Sequence, residues 1–239
     1  MCGRFVSASP PERIAAYFGA GLEVEPIDAN YNVAPTDDIY AVVDGRDGRV
    51  VRAFEWGLLP VWAKDRKVGQ KMINARAETV ATKFKGVFRT HRCIVPMDGF
   101  YEWQAAGPGG PVGKTGKPLK QPWFVHRTDG EPLAVAGLWS AWRPRGGDAP
   151  KDGGWVHTAS VITTAANATM APIHDRMPVV LPKAMWDLWL DRGNDHIDIL
   201  ASLLVPAPEH LLVMHRVSTD VNSVRNQGPH LIEPVELAG

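Results

Sequence analysis

The sequence predicts an α+β fold: one domain with a curved, partly closed mixed sheet and a few helices on its flanks. Three observations carry this expectation. Short runs of β-branched and aromatic residues recur along the chain, broken by Asp-Gly turn pairs. Helix-like stretches are few and do not alternate regularly with the strands, which argues against a doubly wound parallel sheet. The Gly- and Pro-rich stretches 106–118 and 144–154 lie within strand-bearing sequence, so they read as surface loops and not as linkers.

Taken in order, Ser9-Pro10-Pro11-Glu12 reads as a helix start. Ser9 is the expected cap, the prolines fill the first turn, Glu12 reaches back and Gly19 stops the helix. Residues 39–43 and 50–56 are β-branched runs joined by Asp44-Gly45 and Asp47-Gly48. Residues 75–84 have helical composition, and 94–96 and 99–103 read as strands. A strand over 123–127 turns at Asp129-Gly130 and returns over 133–139. Residues 156–164 and 179–181 are further strands, 183–190 and 197–204 are helical, and 211–217 is strand again. No internal repeat is visible, and a single domain over 1–239 is expected.

Lys and Arg balance Asp and Glu at 26 each, so whole-protein attraction to a polyanion does not follow from net charge. Two cysteines, Cys2 and Cys93, build no disulfide framework and form no Cys-x-x-Cys pair, so neither a structural metal nor a cofactor is expected. A reducing, cytoplasmic setting suits a free Cys2. The N-terminus lacks the sustained apolar run of a signal peptide, and no segment approaches the ~18 apolar residues of a membrane span. A monomer without membrane association is expected. Cys93, in a strand-like stretch, reads as buried and inert.

Position 2 carries the chemistry. A small second residue permits removal of Met1, which leaves Cys2 with an amine and a thiol two carbons apart. The amine can form a Schiff base with an aldehyde, and the thiol can close on the same carbon to give a thiazolidine. An α-amine with a pKa of about 7.8 is roughly 15% neutral at pH 7, against about 0.04% for an ordinary lysine. Position alone fits an incidental tail residue equally. Gly3, which permits close backbone approach, and Arg4, a fixed cation suited to phosphate, weigh toward a site.

Glu102 lies among aromatics in Phe100-Tyr101-Glu102-Trp103 and reads either as a general acid and base or as a buried structural carboxylate. His174 neighbours Asp175 and Arg176 and can exchange protons, although a lone His is more often structural. Asn74 can bond a reacting oxygen or cap the helix that follows, and local sequence favours the cap. From Lys64 to Arg92, nine Lys or Arg stand against two acids, a local charge of +7. With Trp62, Phe84 and Phe88 in or beside it, this segment suits single-stranded nucleic acid, or is a solvated basic face.

Together these pieces resemble the SRAP family, the "SOS response-associated peptidase" proteins that crosslink to abasic sites. The resemblance covers nearly the whole chain. It runs through Met1-Cys2-Gly3-Arg4-Phe5, Tyr31-Asn32-Val33-Ala34-Pro35, Trp56-Gly57-Leu58-Leu59-Pro60 with Trp62, and residues 73–79. It continues through residues 92–96, 98–103 and 136–139, His174-Asp175-Arg176-Met177-Pro178, Val221-Asn222 and Leu231-Ile232-Glu233-Pro234. It implies a largely antiparallel, β-barrel-like core with peripheral helices. It implies a DNA-damage response protein whose partner is single-stranded DNA containing abasic sites, captured as a thiazolidine on Cys2 with possible weak lyase activity. Asn74 would hold the N-terminus and a sugar oxygen, Glu102 would shuttle protons, and His174 would assist sugar opening. Arg4, Arg76 and Arg176 would hold phosphates, while Asn32, Pro35, Trp62 and Thr163 would shape the strand path. The stretches 108–116 and 144–154 exceed the family's minimal loops. Two alternatives stay open: an N-terminal-nucleophile thiol peptidase or amidohydrolase, and a non-catalytic single-strand binder.

Overall fold

The computed structural model describes residues 2–107, 112, 116, 118–143 and 154–235. The long-loop expectations over 108–116 and 144–154 therefore fall largely outside the described residues.

In chain order the strands are β1 (Phe5–Ser7), β2 (Gly21–Leu22), β3 (Asn30–Val33), β4 (Asp38–Asp44), β5 (Arg49–Trp56), β6 (Asn74–Arg76) and β7 (Arg92–Met97). They continue with β8 (Gly99–Ala105), β9 (Lys120–Arg127), β10 (Leu133–Trp142), β11 (Val156–Ala165), β12 (Arg176–Pro178) and β13 (Leu212–Arg216). The helices are α1 (Pro11–Phe18), α2 (Ala77–Lys83), α3 (Lys85–Thr90), α4 (Trp186–Leu190) and α5 (Ile197–Ser202).

Strands β11, β10, β7, β4 and β5 hydrogen-bond in that order. Strand β5 then pairs in parallel with β11, Thr158 opposite Glu55 and Ala159 opposite Trp56, and so closes a five-stranded barrel. The other barrel pairs are antiparallel. A second sheet, ordered β13-β9-β8-β1-β3, is antiparallel throughout. The expected α+β, barrel-like architecture is present.

Side-chain alternation along the barrel strands divides the core. Ile39, Ala41 and Val43, with Cys93, Val95 and Met97, join Cys2, Phe5, Phe100 and Val125 in one apolar cluster. Tyr40, Val42 and Ile94 face the other way and pack with Ile14 and Phe18 of α1, Val80 of α2, Phe88 of α3 and Trp186 and Trp189 of α4. The helices thus coat the barrel's outer face, and β1 with the N-terminal cysteine belongs to the first cluster.

Several local expectations are corrected. Helix α1 starts where expected, with Pro10 at the cap position and Gly19 left-handed at its end (φ 60°). Ser9 does not cap it; its hydroxyl donates to Asp98 Oδ1 at 2.5 Å, and Asp98 Oδ2 takes the Ala8 and Ser9 amides at 2.7 and 2.9 Å. Asn74 does not cap α2 either, because the chain runs as strand β6 up to Arg76, which occupies the cap position. Arg92 is not part of a basic face. It is buried, and its guanidinium donates to the carbonyls of Trp189, Phe88 and Asn194 at 2.6, 2.8 and 3.0 Å, and to those of Arg89 and Asp191. Burial lowers its pKa to about 10. The strand expected over 179–181 forms earlier, as β12, and is followed by a lone bridge from Val180 to Val135.

Candidate active site at the N-terminal cysteine

Strand β1 lies between β8 and β3, with Phe5 opposite Phe100 and Val33. The Tyr101 amide donates to the Arg4 carbonyl at 3.0 Å, which carries the same register one residue further toward the N-terminus, and Cys2 lies close enough to Glu102 for the carboxylate's charge to act on its thiol. Both are buried, Glu102 on β8 opposite Trp123 of β9. Burial raises the Cys2 thiol pKa, the Glu102 charge raises it further, and the Arg4 backbone amide partly offsets both. The thiol is therefore held protonated at neutral pH.

Asn74 reaches the same place from the barrel. Strand β6 pairs in parallel with β11, Asn74 opposite Val161 and Thr163 opposite Arg76. That register directs Asn74 Nδ2 to the Cys2 carbonyl at 2.8 Å. Its Oδ1 is buried and has no hydrogen-bond partner among the described residues, an acceptor suited to an incoming hydroxyl or amine.

His174 follows a turn that leads from β11 into β12, with its amide on the Met170 carbonyl at 3.0 Å. Gln104 Nε2 of β8 donates to Pro172 O at 3.1 Å and ties this turn to the strand bearing Glu102. His174 Nδ1 lies 3.0 Å from the Arg176 amide and 2.9 Å from Asp175 Oδ1. The amide can only donate, so Nδ1 accepts and a neutral ring carries its proton on Nε2. An Nδ1 that accepts makes no hydrogen bond to the Asp175 carboxylate, which is 86% exposed and solvated.

The expected phosphate and strand residues fall into two groups. Trp62 (64% exposed) and Arg76 lie on the surface. Trp62 lines a cleft of about 450 Å³ together with Pro60, Met72, Phe84, Lys83 and Lys85. Pro35 is half-buried in the turn after β3, next to Thr36 at φ 80°. Deeper lie Thr163 and Asn32, both fully buried. Arg4 is half-buried, its Nη1 donating to Asn32 Oδ1 at 2.7 Å. Arg176 forms a two-pronged pair with Glu78, at 2.5 and 3.0 Å, and donates to the Thr163 carbonyl at 2.5 Å. A phosphate there would compete with Glu78.

Sequence reasoning missed Asp98, which secures the exit of β1. It also missed Trp103, whose ring centroid lies 5.9 Å from the Arg4 guanidinium carbon. Trp103 was visible only as Glu102's neighbour. Val221-Asn222 stood out as a motif without a role; the Val221 carbonyl accepts from Arg4 Nη1 at 3.1 Å. Among the described residues, no cluster of three or more His, Cys, Asp or Glu could hold a metal ion, and no helix is long and apolar enough to cross a membrane.

Abasic site processing protein YoqW of Bacillus subtilis (strain 168) is 38% identical over 238 residues, covering 98% of this chain and 99% of that protein. Abasic site processing protein YedK of Escherichia coli (strain K12) is 33% identical over 246 residues, covering 98% and 100%. Abasic site processing protein HMCES of Gallus gallus is 34% identical over 214 residues, 79% of this chain and 59% of its own length. In fold, a crystal structure of a Bacteroides thetaiotaomicron protein superposes with a TM-score of 0.82 at 23% identity, covering 98% of this chain and all of that one. The pattern of the SOS response associated peptidase (SRAP) family matches residues 1–224. With that span and relatives of this identity over almost the full chain, the protein belongs to the SRAP family.

Proposed function

We propose that this protein processes abasic sites in DNA, capturing them in single strands as a thiazolidine on Cys2 once Met1 has been removed. The observation that carries the proposal is the setting of Cys2: a buried second-position cysteine, held by Asn74 at its carbonyl and neighboured by Glu102. The relatives named for abasic site processing support the substrate class.

In the first step the Cys2 amine adds to the aldehyde carbon of the ring-opened deoxyribose, and loss of water leaves an imine. The Cys2 sulfur then adds to the imine carbon while the S–H proton passes to the imine nitrogen. Amine, thiol and aldehyde thus give one thiazolidine and one water, with no oxidant or reductant. Glu102 relays the proton in both steps. His174, with Nε2–H as donor, assists opening of the sugar. Trp62 supplies a face for a neighbouring base, and Arg76 a charge for phosphate.

A single-stranded oligonucleotide with one abasic site should give a shifted band on a denaturing gel without reductant. Cys2→Ser should lose that band yet keep a borohydride-trappable imine, since its amine remains. A wild-type band that appears only after borohydride would exclude thiol closure. The family's description as a peptidase keeps amide hydrolysis by Cys2, Glu102 and His174 as the second reading. Peptide cleavage without DNA capture would establish it.

A further inference from the structure

We propose that Asn32 is a positioning residue for Arg4: buried beneath the site, it clamps the 221–226 segment against β3 and so fixes the guanidinium, acting on DNA only through it. This rests on the reading of Arg4 as a phosphate-holding group.

Asn32 is fully buried and presents no surface to a strand of DNA. Its Oδ1 accepts from Arg4 Nη1 at 2.7 Å. Its Nδ2 is shared among three carbonyls of one segment, Val221 at 3.3 Å, Ser223 at 2.9 Å and Asn226 at 3.1 Å. The same Val221 carbonyl receives Arg4 Nη1 at 3.1 Å, so arginine, asparagine and segment form a closed triangle. The segment grips the third side of Arg4 as well. Asn222 Oδ1 accepts from Trp103 Nε1 at 2.7 Å, and Trp103 is the ring beside the guanidinium. Asn226 Nδ2 folds back onto the Asp220 carbonyl at 2.8 Å, and Gln227 Oε1 takes the Tyr31 amide at 3.0 Å, which pins the segment along β3.

Only a side-chain amide serves this position. It accepts from a cation and donates to carbonyls at once, whereas Asp has no donor and Leu neither group. Arg4 is thereby held through Nη1. A cation so fixed is preorganised for an oxyanion.

The test is fluorescence anisotropy on an intact single-stranded oligonucleotide across a salt series, for wild type, Arg4→Ala, Asn32→Ala and the double variant. Asn32→Ala should weaken binding roughly tenfold, the scale of one charge-assisted hydrogen bond. It should flatten the salt slope by about 0.7, the share of one single-strand phosphate. The double variant should be no weaker than Arg4→Ala alone. A folded Asn32→Ala with the wild-type slope, or an additive double variant, overturns the proposal. Should Asn32→Ala not fold, exposed Asn222→Ala decides, and an unchanged slope there overturns it. If wild type does not bind, or Arg4→Ala leaves the slope unaltered, the phosphate role of Arg4 fails instead. Nitrogen-detected NMR of the Arg4 side chain then judges positioning by itself: Asn32→Ala, or Asn222→Ala if it alone folds, should shift and broaden the signal, and an unmoved signal sinks the clamp.

Discussion

In the proposed capture reaction, Glu102 is the residue on which the proton traffic would depend. It is buried on β8 and close enough to Cys2 for its charge to act on the thiol, which is the observation behind the proposed relay. Glu102→Gln keeps the shape and removes the base. Crosslinking should slow on the order of 10²-fold with affinity for intact single strands unchanged. Single-turnover gels and anisotropy measure the two separately; an unaltered rate would leave Glu102 a structural carboxylate. Cys2, Glu102 and His174 could be singled out in the sequence because each is a reactive type in a distinctive neighbourhood, while local sequence left an incidental or structural role open for each. Asn74 was misread locally as a cap, since a helix does begin three residues after it. What turns its side chain to the Cys2 carbonyl is the β6–β11 register, a pairing between positions 74 and 161 that no local pattern encodes. The buried state of Asn32 and Arg92 was hidden for the same reason: both are polar types whose partners are backbone carbonyls remote in sequence.

At the scale of elements, the excursion between β5 and β6 is the unit that presents Trp62. Both ends of it return to β11, which pairs with β5 at Ala159 and with β6 at Val161. The neck is closed by Leu58 N to Met72 O at 3.1 Å and Trp56 Nε1 to Ile73 O at 3.1 Å. It narrows further at Gly57 and Gly69, where the backbones cross. A Cβ on Gly69 would lie 2.6 Å from the Gly57 carbonyl oxygen, and Gly57 itself sits at φ 136°. Gly69→Ala should therefore spread the neck, costing about 1–3 kcal/mol of stability and weakening single-strand binding through the displaced Trp62. Urea melts paired with anisotropy test this, and a superimposable melt would show that the crossing has slack. Strands over 39–43, 50–56, 94–96, 99–103 and 133–139 were readable because β-branched runs and turn dipeptides are local signals. The barrel's closure was not readable, since it rests on the parallel β5–β11 pair, joined across about a hundred residues.

For the whole molecule, two histidines lean on Trp139 and couple its stability to pH. The His91 ring centroid lies 4.5 Å from that of Trp139, and His157 lies 6.2 Å from it and 6.0 Å from Phe54. Burial lowers both pKa values, helped by the charge of Arg192 at His91 and of Arg52 at His157. In the unfolded chain each titrates at about 6.5, so below that pH the unfolded state holds more protons than the folded one. The stabilisation is complete above about pH 6.5 and is lost as pH falls from there through the lower folded values. The carboxylates Glu78, Asp129 and Asp195, held down by Arg176, Arg127 and Arg89, act in the same direction but only at lower pH. Thermal melts between pH 7.5 and 5.5 should thus show a declining Tm. Replacing His91 and His157 with Gln removes the protonation without removing a polar side chain, and should flatten the decline. A double variant as acid-sensitive as wild type over that window would place the titrating groups elsewhere in the fold.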